Sequence, residues 1–463
     1  MSKRNLILLI IVLVIAGISI LGFLYSQQQP TNGTGDNTPG TNFFSQFNPF
    51  SSGTKNTTPP TTTPPVDVSG NEPTKPTTEE IAKLKKVSSM PIAGFTVFSQ
   101  ERLKVVPVVI TPDSTTTTPA PTTPSTSSGQ ATKKTTTKTA KVVLPPTEFA
   151  PALRYVSRDA GNIYETFADN ITEKQFTGTV IPKVYDAFFG NNGLSVVMRY
   201  LKADGKTIET FFGTMPKEVL GANTTTPATL KGSLLPDNIK DISVSGDAVS
   251  LFYLFTSGND LIGTTLNLAT GKKVQIFDSP FTEWLSWWPN SKIITFTTKP
   301  SSTVPGYMYS MNPANTKAFN PVLSNINGLT TETSPNGKLV LYADSNLTLS
   351  IYHTDTNVSN LVGVKTLPEK CAWGSASDVV YCAVPKSIPS NQYPDAWYQG
   401  EVSFGDQLWK VDIKTGNATL LVDPASVSGG QEVDGIKLAL DPGANFLFFV
   451  NKKDSYLWEF NLK

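Results

Sequence analysis

Histidine, cysteine, paired acids and exposed aromatics carry most protein chemistry, and this sequence is poor in the first two. His353 is the only histidine, which removes most routes to a Ser-His-Asp triad, a Cys-His dyad or a zinc centre. It ends an apolar run shortly before Asp355 and, with no second histidine or acid cluster beside it, reads as a structural or exposed residue. No G-x-S-x-G elbow, H-E-x-x-H, glycine-rich phosphate loop or EF-hand spacing occurs. The expectation is therefore no cofactor and no metal site; scattered aspartates leave calcium unsupported. Cys371 and Cys382 are the only cysteines, which excludes cysteine-rich metal frameworks.

The two cysteines flank a hairpin turn. With a two-residue loop at Ala376 and Ser377 they fall opposite each other and could form a cross-strand disulfide in an oxidising exterior. A three-residue loop instead shifts the register by one and puts the sulfurs on opposite faces.

Aromatic side chains offer the other chemistry. Residues 385–404 hold Tyr393, Trp397, Tyr398 and Glu401, which are the expected binding residues because Tyr and Trp supply contact area at small entropic cost. Equally, these aromatics could cover the underside of their own loop. A second aromatic run, residues 281–288, has the composition of a sugar platform, but packing between sheets accounts for it better.

The elements that must position these residues are short strands. Ser334-Pro335-Asn336-Gly337-Lys338 combines a preset φ, a tolerant asparagine and a glycine able to take positive φ, and it opens onto the apolar Leu339 to Ala343. Weaker copies of this hairpin corner recur over the C-terminal two thirds, as expected for four-stranded meanders stacked around a common axis. The expected fold is all-β, a seven-bladed β-propeller, with six or eight blades left open. The last blade falls one strand short, and residues 81–88 can supply it, so an N-terminal strand closing the ring is expected; a short amphipathic helix there is the competing reading. In blade two the fourth strand has no clear signal.

Ser334 to Lys338 resembles the S-P-D-G-K corner of the TolB-type propeller repeat, a relative of the WD repeat, and Leu408-Trp409-Lys410-Val411-Asp412-Ile413-Lys414-Thr415-Gly416 resembles that family's L-W-x-x-D-x-x-T-G. The likeness spans residues 80–463 and implies an exported bacterial propeller whose ligand face carries the second-to-third-strand and blade-to-blade loops. Residues 112–141, 215–238, 299–306 and 385–405 are expected to crowd that one rim. The whole chain also resembles membrane-anchored propeller proteins of small-genome bacterial lineages, which implies a location and no activity.

Of 463 residues, 38 are basic and 37 acidic, so no nucleic-acid partner is expected. Lys3 and Arg4 precede an uncharged apolar stretch at residues 6–25, long enough for a membrane-spanning helix with its N-terminus in the cytoplasm. The expected organisation is a transmembrane anchor at residues 1–26, a disordered Thr/Pro-rich linker at 27–79, and the propeller at 80–463 with a low-complexity insert at 112–141. The function expected is a membrane-tethered, extracytoplasmic scaffold that binds a protein or envelope polymer through its loop-rich face. The alternative is a propeller hydrolase or lyase acting on polysaccharide or peptide, which requires a pair of carboxylates converging in the central mouth.

Overall fold

A computed structural model describes residues 83–104, 146–218, 226–427 and 430–463. The anchor, the linker and the insert expected from the sequence lie outside the described residues. No helix among the described residues is long and apolar enough to cross a membrane.

Seven four-stranded antiparallel sheets form the blades of a propeller. Their innermost strands, in chain order, are Ile92–Leu103, Val184–Gly190, Asp241–Val244, Trp284–Asn290, Thr330–Thr333, Cys371–Trp373 and Gly435–Leu440. In the seventh blade, Gly435–Leu440, Phe446–Asn451 and Leu457–Asn461 are joined by Leu84–Lys86, which pairs Leu84 with Phe460, Lys85 with Glu459 and Lys86 with Trp458. The closing strand expected from the sequence is thus present. Lys86 places its ammonium 4.0 Å from the centre of the Tyr456 ring, and the Leu457 N–H donates to Ser88 Oγ at 2.9 Å.

The hairpin corners knit the blades together. Gly337 adopts φ 74°, Asn336 Oδ1 accepts from the Lys338 N–H at 2.8 Å, and Ser334 Oγ accepts from the Leu339 N–H at 3.1 Å. Asn290, from the matching corner of blade four, donates to the Pro335 carbonyl at 2.9 Å. The Asn336 N–H in turn donates to Ser377 Oγ in the corner of blade six at 3.1 Å. Apolar side chains fill the wedges between blades. Phe252, Phe277, Trp284, Trp288 and Phe296 are buried in one such cluster, with Phe277 stacked on Phe296 at 4.4 Å. Two of the three tryptophans in the run at 281–288 are therefore core, and Trp287 is 42% exposed.

Blade two's fourth strand is Lys231–Leu234, exposed at all four positions, which explains its silence in the apolar pattern. The expectation of a single crowded rim needs correction. Residues 112–141 fall between the first and second strands of blade one, Ile92–Leu103 and Thr147–Ser157. The long connection after Thr214 joins the third and fourth strands of blade two. Antiparallel strands alternate direction, so these two connections leave from the face opposite to the second-to-third-strand connections at 299–306 and 385–405.

Candidate active site in the central mouth

Where the innermost strands begin, acidic side chains converge. Glu332 is the third residue of the innermost strand of blade five, and Glu369 lies in the 3-10 turn Pro368–Lys370 that leads into blade six. Glu332 is 5% exposed, and burial, followed by the neighbouring charge of Glu369, holds its carboxyl well above the usual carboxylate range with no hydrogen bond offsetting the shift. Burial also raises Glu369, against the pull of the Tyr398 phenol and of the Lys370 and Lys452 ammonium groups. Although Tyr398 as a whole is 43% exposed, burial around its phenol and the nearby Glu369 carboxylate push that group well above its ordinary value. Two acids whose ionisation is suppressed in this way can hold and exchange a proton near neutral pH.

The helix that brings Tyr398 here is a single turn, Asp395–Tyr398, inside the long connection of blade six. Asp395 accepts from the Ser302 N–H at 2.6 Å, tying this connection to the equivalent one of blade four. Lys452 donates to the Trp397 carbonyl and lies 4.0 Å from the centre of the Trp397 ring. Its ammonium is depressed by burial and by the nearby charge of Lys370.

Beneath this group is a fully buried ion cluster. Lys370 Nζ donates to Asp406 at 2.8 Å and also to Asp434. Asp434 further accepts from Trp397 Nε1 at 3.0 Å, from the Phe404 N–H at 3.0 Å and from Ser403 Oγ at 3.1 Å. Burial works against the charged form of Asp434, but Lys370 and these donors outweigh it and hold the carboxylate below its usual range. A lysine at the root of blade six, clamped to the start of blade seven and to the loop carrying Tyr398, fixes Glu369 next to it in the chain.

Across the mouth, Asp241 starts the innermost strand of blade three and accepts from the N–H and Oγ of Ser286 at 2.7 and 2.6 Å. Burial raises its carboxyl as well. Lys437 breaks the register of its strand and takes φ 52°, unusual for a side chain of its size. From there its ammonium reaches Asp186 at 2.6 Å and the Ala93 carbonyl at 2.9 Å, joining blades seven, two and one. Arg199 Nη2 donates to the Ile239 carbonyl at 2.6 Å on the same side.

Of the residues expected to bind, Tyr398 stands at the acid pair. Tyr393 and Trp397 are 3% and 4% exposed and pack with Phe404 and Leu347 inside the loop's own core, while Glu401 is exposed at the loop surface. Cys371 and Cys382 are paired residues of neighbouring strands with Cα atoms 4.0 Å apart, joined as a disulfide. Sequence reasoning missed Glu332, Glu369 and Lys452. The available signal was a lone acid in the otherwise uncharged Thr330–Thr333, the kind of strand that lines a propeller's axis.

No protein-family model matches the chain, and no curated protein matches it. Among solved structures it is similar to an oligogalacturonate lyase in complex with manganese, at 11% identity and a TM-score of 0.44, over 67% of this chain and 85% of that one. It is also similar to an oligogalacturonate lyase from Vibrio parahaemolyticus, at 10% identity and a TM-score of 0.45, over 68% and 86% of the two chains. At that distance the likeness concerns fold alone. Manganese belongs to that neighbour. Among the described residues of this chain no three His, Cys, Asp or Glu side chains stand together as metal ligands. The expected non-enzymatic scaffold is corrected here by the site itself: the strand bearing Glu332 packs on the turn bearing Glu369, and both carboxyls are raised, the arrangement that the alternative, enzymatic reading requires.

Proposed function

We propose that this chain is a propeller enzyme that cleaves a polysaccharide by acid-base chemistry between two carboxyl groups. One observation carries the proposal: the innermost strand of blade five, bearing Glu332, packs on the turn Pro368–Lys370, bearing Glu369, and both carboxyls are shifted toward their protonated forms. Glu332, the more strongly raised, donates a proton to the leaving oxygen, and Glu369, tuned by Tyr398 and Lys452, accepts one from water. Lys452 favours a second outcome at the same site. An amine whose charged form is disfavoured is a base for proton abstraction next to a sugar carboxylate, so elimination replaces hydrolysis. Lys452, not the likeness to lyases, supports that version.

The finer placement of the molecule belongs to the same proposal. A TolB-type propeller, tethered through a helix at residues 6–25 and held outside the cytoplasmic membrane by the linker, would meet envelope polymers and no nucleic acid. Incubating the full chain with a panel of envelope and plant polysaccharides, and with peptides, tests the activity. New reducing ends report hydrolysis, and ultraviolet absorbance of an unsaturated product reports elimination. Glu332→Gln and Glu369→Gln should each lower turnover by about 10²-fold or more. Cleavage that survives both substitutions refutes the acid-base assignment.

A further inference from the structure

Beside the mouth, on the same face, lies a cleft of about 500 Å³ that the acid pair does not use. One wall is the first half of the blade six connection, including Lys386, Ser390 and Asn391. The opposite wall is Ser345 and Asn346, from the equivalent connection of blade five, with Lys365 at the end of the outer strand Val358–Lys365.

The chemistry of this lining differs from that of the mouth. Hydroxyls, side-chain amides and two ammonium groups surround the cleft, and no carboxylate is among its lining residues. Lys386 is partly offset by Asp423 at 3.3 Å, whereas Lys365 is exposed and makes no ion pair among the described residues. The wall is also preformed. The Tyr393 hydroxyl donates to the Pro389 carbonyl at 2.7 Å, the Lys386 N–H donates to the Gly405 carbonyl at 2.9 Å, and Ile388 packs onto the loop core.

We infer that this cleft is a remote subsite for an anionic sugar unit of the polymer cut at the mouth, an inference that rests on the carbohydrate-cleaving reading of Glu332 and Glu369. Neutral donors match ring hydroxyls, and the two lysines match a carboxylate or sulfate, since hydrogen bonds between charged partners are the stronger ones. Charge divides the labour. The cleft carries two ammonium groups and no carboxylate, so an acidic unit seats there while the linkage to be cut reaches the mouth. Tyr393 lines the cleft, and the single-turn helix that follows it, Asp395–Tyr398, ends on the tyrosine at the acid pair. Binding energy gathered in the cleft is then available to hold the neighbouring linkage against the acid pair.

The full chain carrying Glu332→Gln, which leaves the cleft intact, is titrated calorimetrically with uncharged, uronate-bearing and sulfated oligosaccharides. Acidic oligosaccharides should bind at least tenfold more tightly than uncharged ones, and the paired Lys365→Ala and Lys386→Ala substitutions should abolish that preference while leaving the melting temperature unchanged. Whether uronate or sulfate binds more tightly identifies the anion. Equal binding of charged and uncharged sugars, or a preference that persists without the lysines, overturns the subsite; so does lysine-dependent binding of acidic peptides with none of sugars. If the preference holds but the unmutated chain cuts none of these sugars, the subsite stands and the catalytic reading of the mouth fails.

Discussion

Glu459 makes the stability of the ring depend on pH. It lies on Leu457–Asn461, opposite Lys85 of the closing strand and Phe448 on the other side. Only 1% of its surface is exposed, and Oε2 has no hydrogen-bond partner. Burial, helped by the charges of Asp169 and Asp441 and opposed by Lys85, pushes its carboxyl up to about 7 from 4.5. A raised pKa means that the folded state binds the proton more tightly than the unfolded chain. The stabilisation is fully present below about 4.5 and is lost as pH climbs through about 7. A shift of that size corresponds to about 3 kcal/mol, at 1.36 kcal/mol per unit. Urea unfolding of the unmutated chain and of Glu459→Gln, with the disulfide kept oxidised, should therefore diverge between pH 5 and pH 8. The unmutated chain weakens by about 2.5 kcal/mol relative to the variant over that interval, because every other titrating group is common to both. Hydrogen-exchange protection at Lys85 and Lys86, taken relative to the intrinsic rate at each pH, should fall over the same range only in the unmutated protein. Parallel stability curves for the two proteins would show that Glu459 ionises without penalty and that its surroundings have been misjudged.

Removing Lys370 by Lys370→Met strands two buried acids and should destabilise the fold by about 3–5 kcal/mol in denaturant unfolding; adding Asp406→Asn and Asp434→Asn should restore part of the loss. Because the Cys371 to Cys382 bridge closes a loop of sequence separation 11, replacing both cysteines by alanine should lower stability by about 3 kcal/mol, seen as an earlier unfolding midpoint that no longer responds to reductant. With its proton retained to higher pH than an ordinary glutamate's, Glu332 should set the alkaline limb of the rate profile. Turnover should fall as pH rises through that elevated value, and Glu332→Gln should remove the limb.

Most of the fold was legible because turn chemistry and strand periodicity are local. Ala418–Val422, Gly435–Leu440 and Phe446–Asn451 are the strands that the pattern predicts, and the closing role of Leu84–Lys86 follows from counting strands. Lys231–Leu234 escaped because an outer strand exposed at every position buries nothing and leaves no alternation to detect. Two of the four rim loops, 112–141 and 215–238, were sorted wrongly because their lengths are visible in the sequence but the direction of the strands they join is not. At the candidate site Tyr398 was found through its residue type. Glu332 and Glu369 were not, since neither is unusual alone and their partnership exists only once blade six is folded against blade five. Lys437 was equally invisible: its left-handed backbone in the middle of a strand follows from what its ammonium reaches across the axis.

The strand that completes the seventh sheet is nearly the first part of the wheel to leave the ribosome, and its partner is nearly the last. At ~5–20 residues per second, Leu84–Lys86 waits roughly twenty seconds to a minute before Leu457–Asn461 exists to receive it. Six sheets can be complete during that interval while the wheel remains open, with a bare hydrogen-bonding edge at the gap. A chain that stops before Leu457 lacks the partner strand and leaves that edge bare, so the ring closes only when synthesis has passed it.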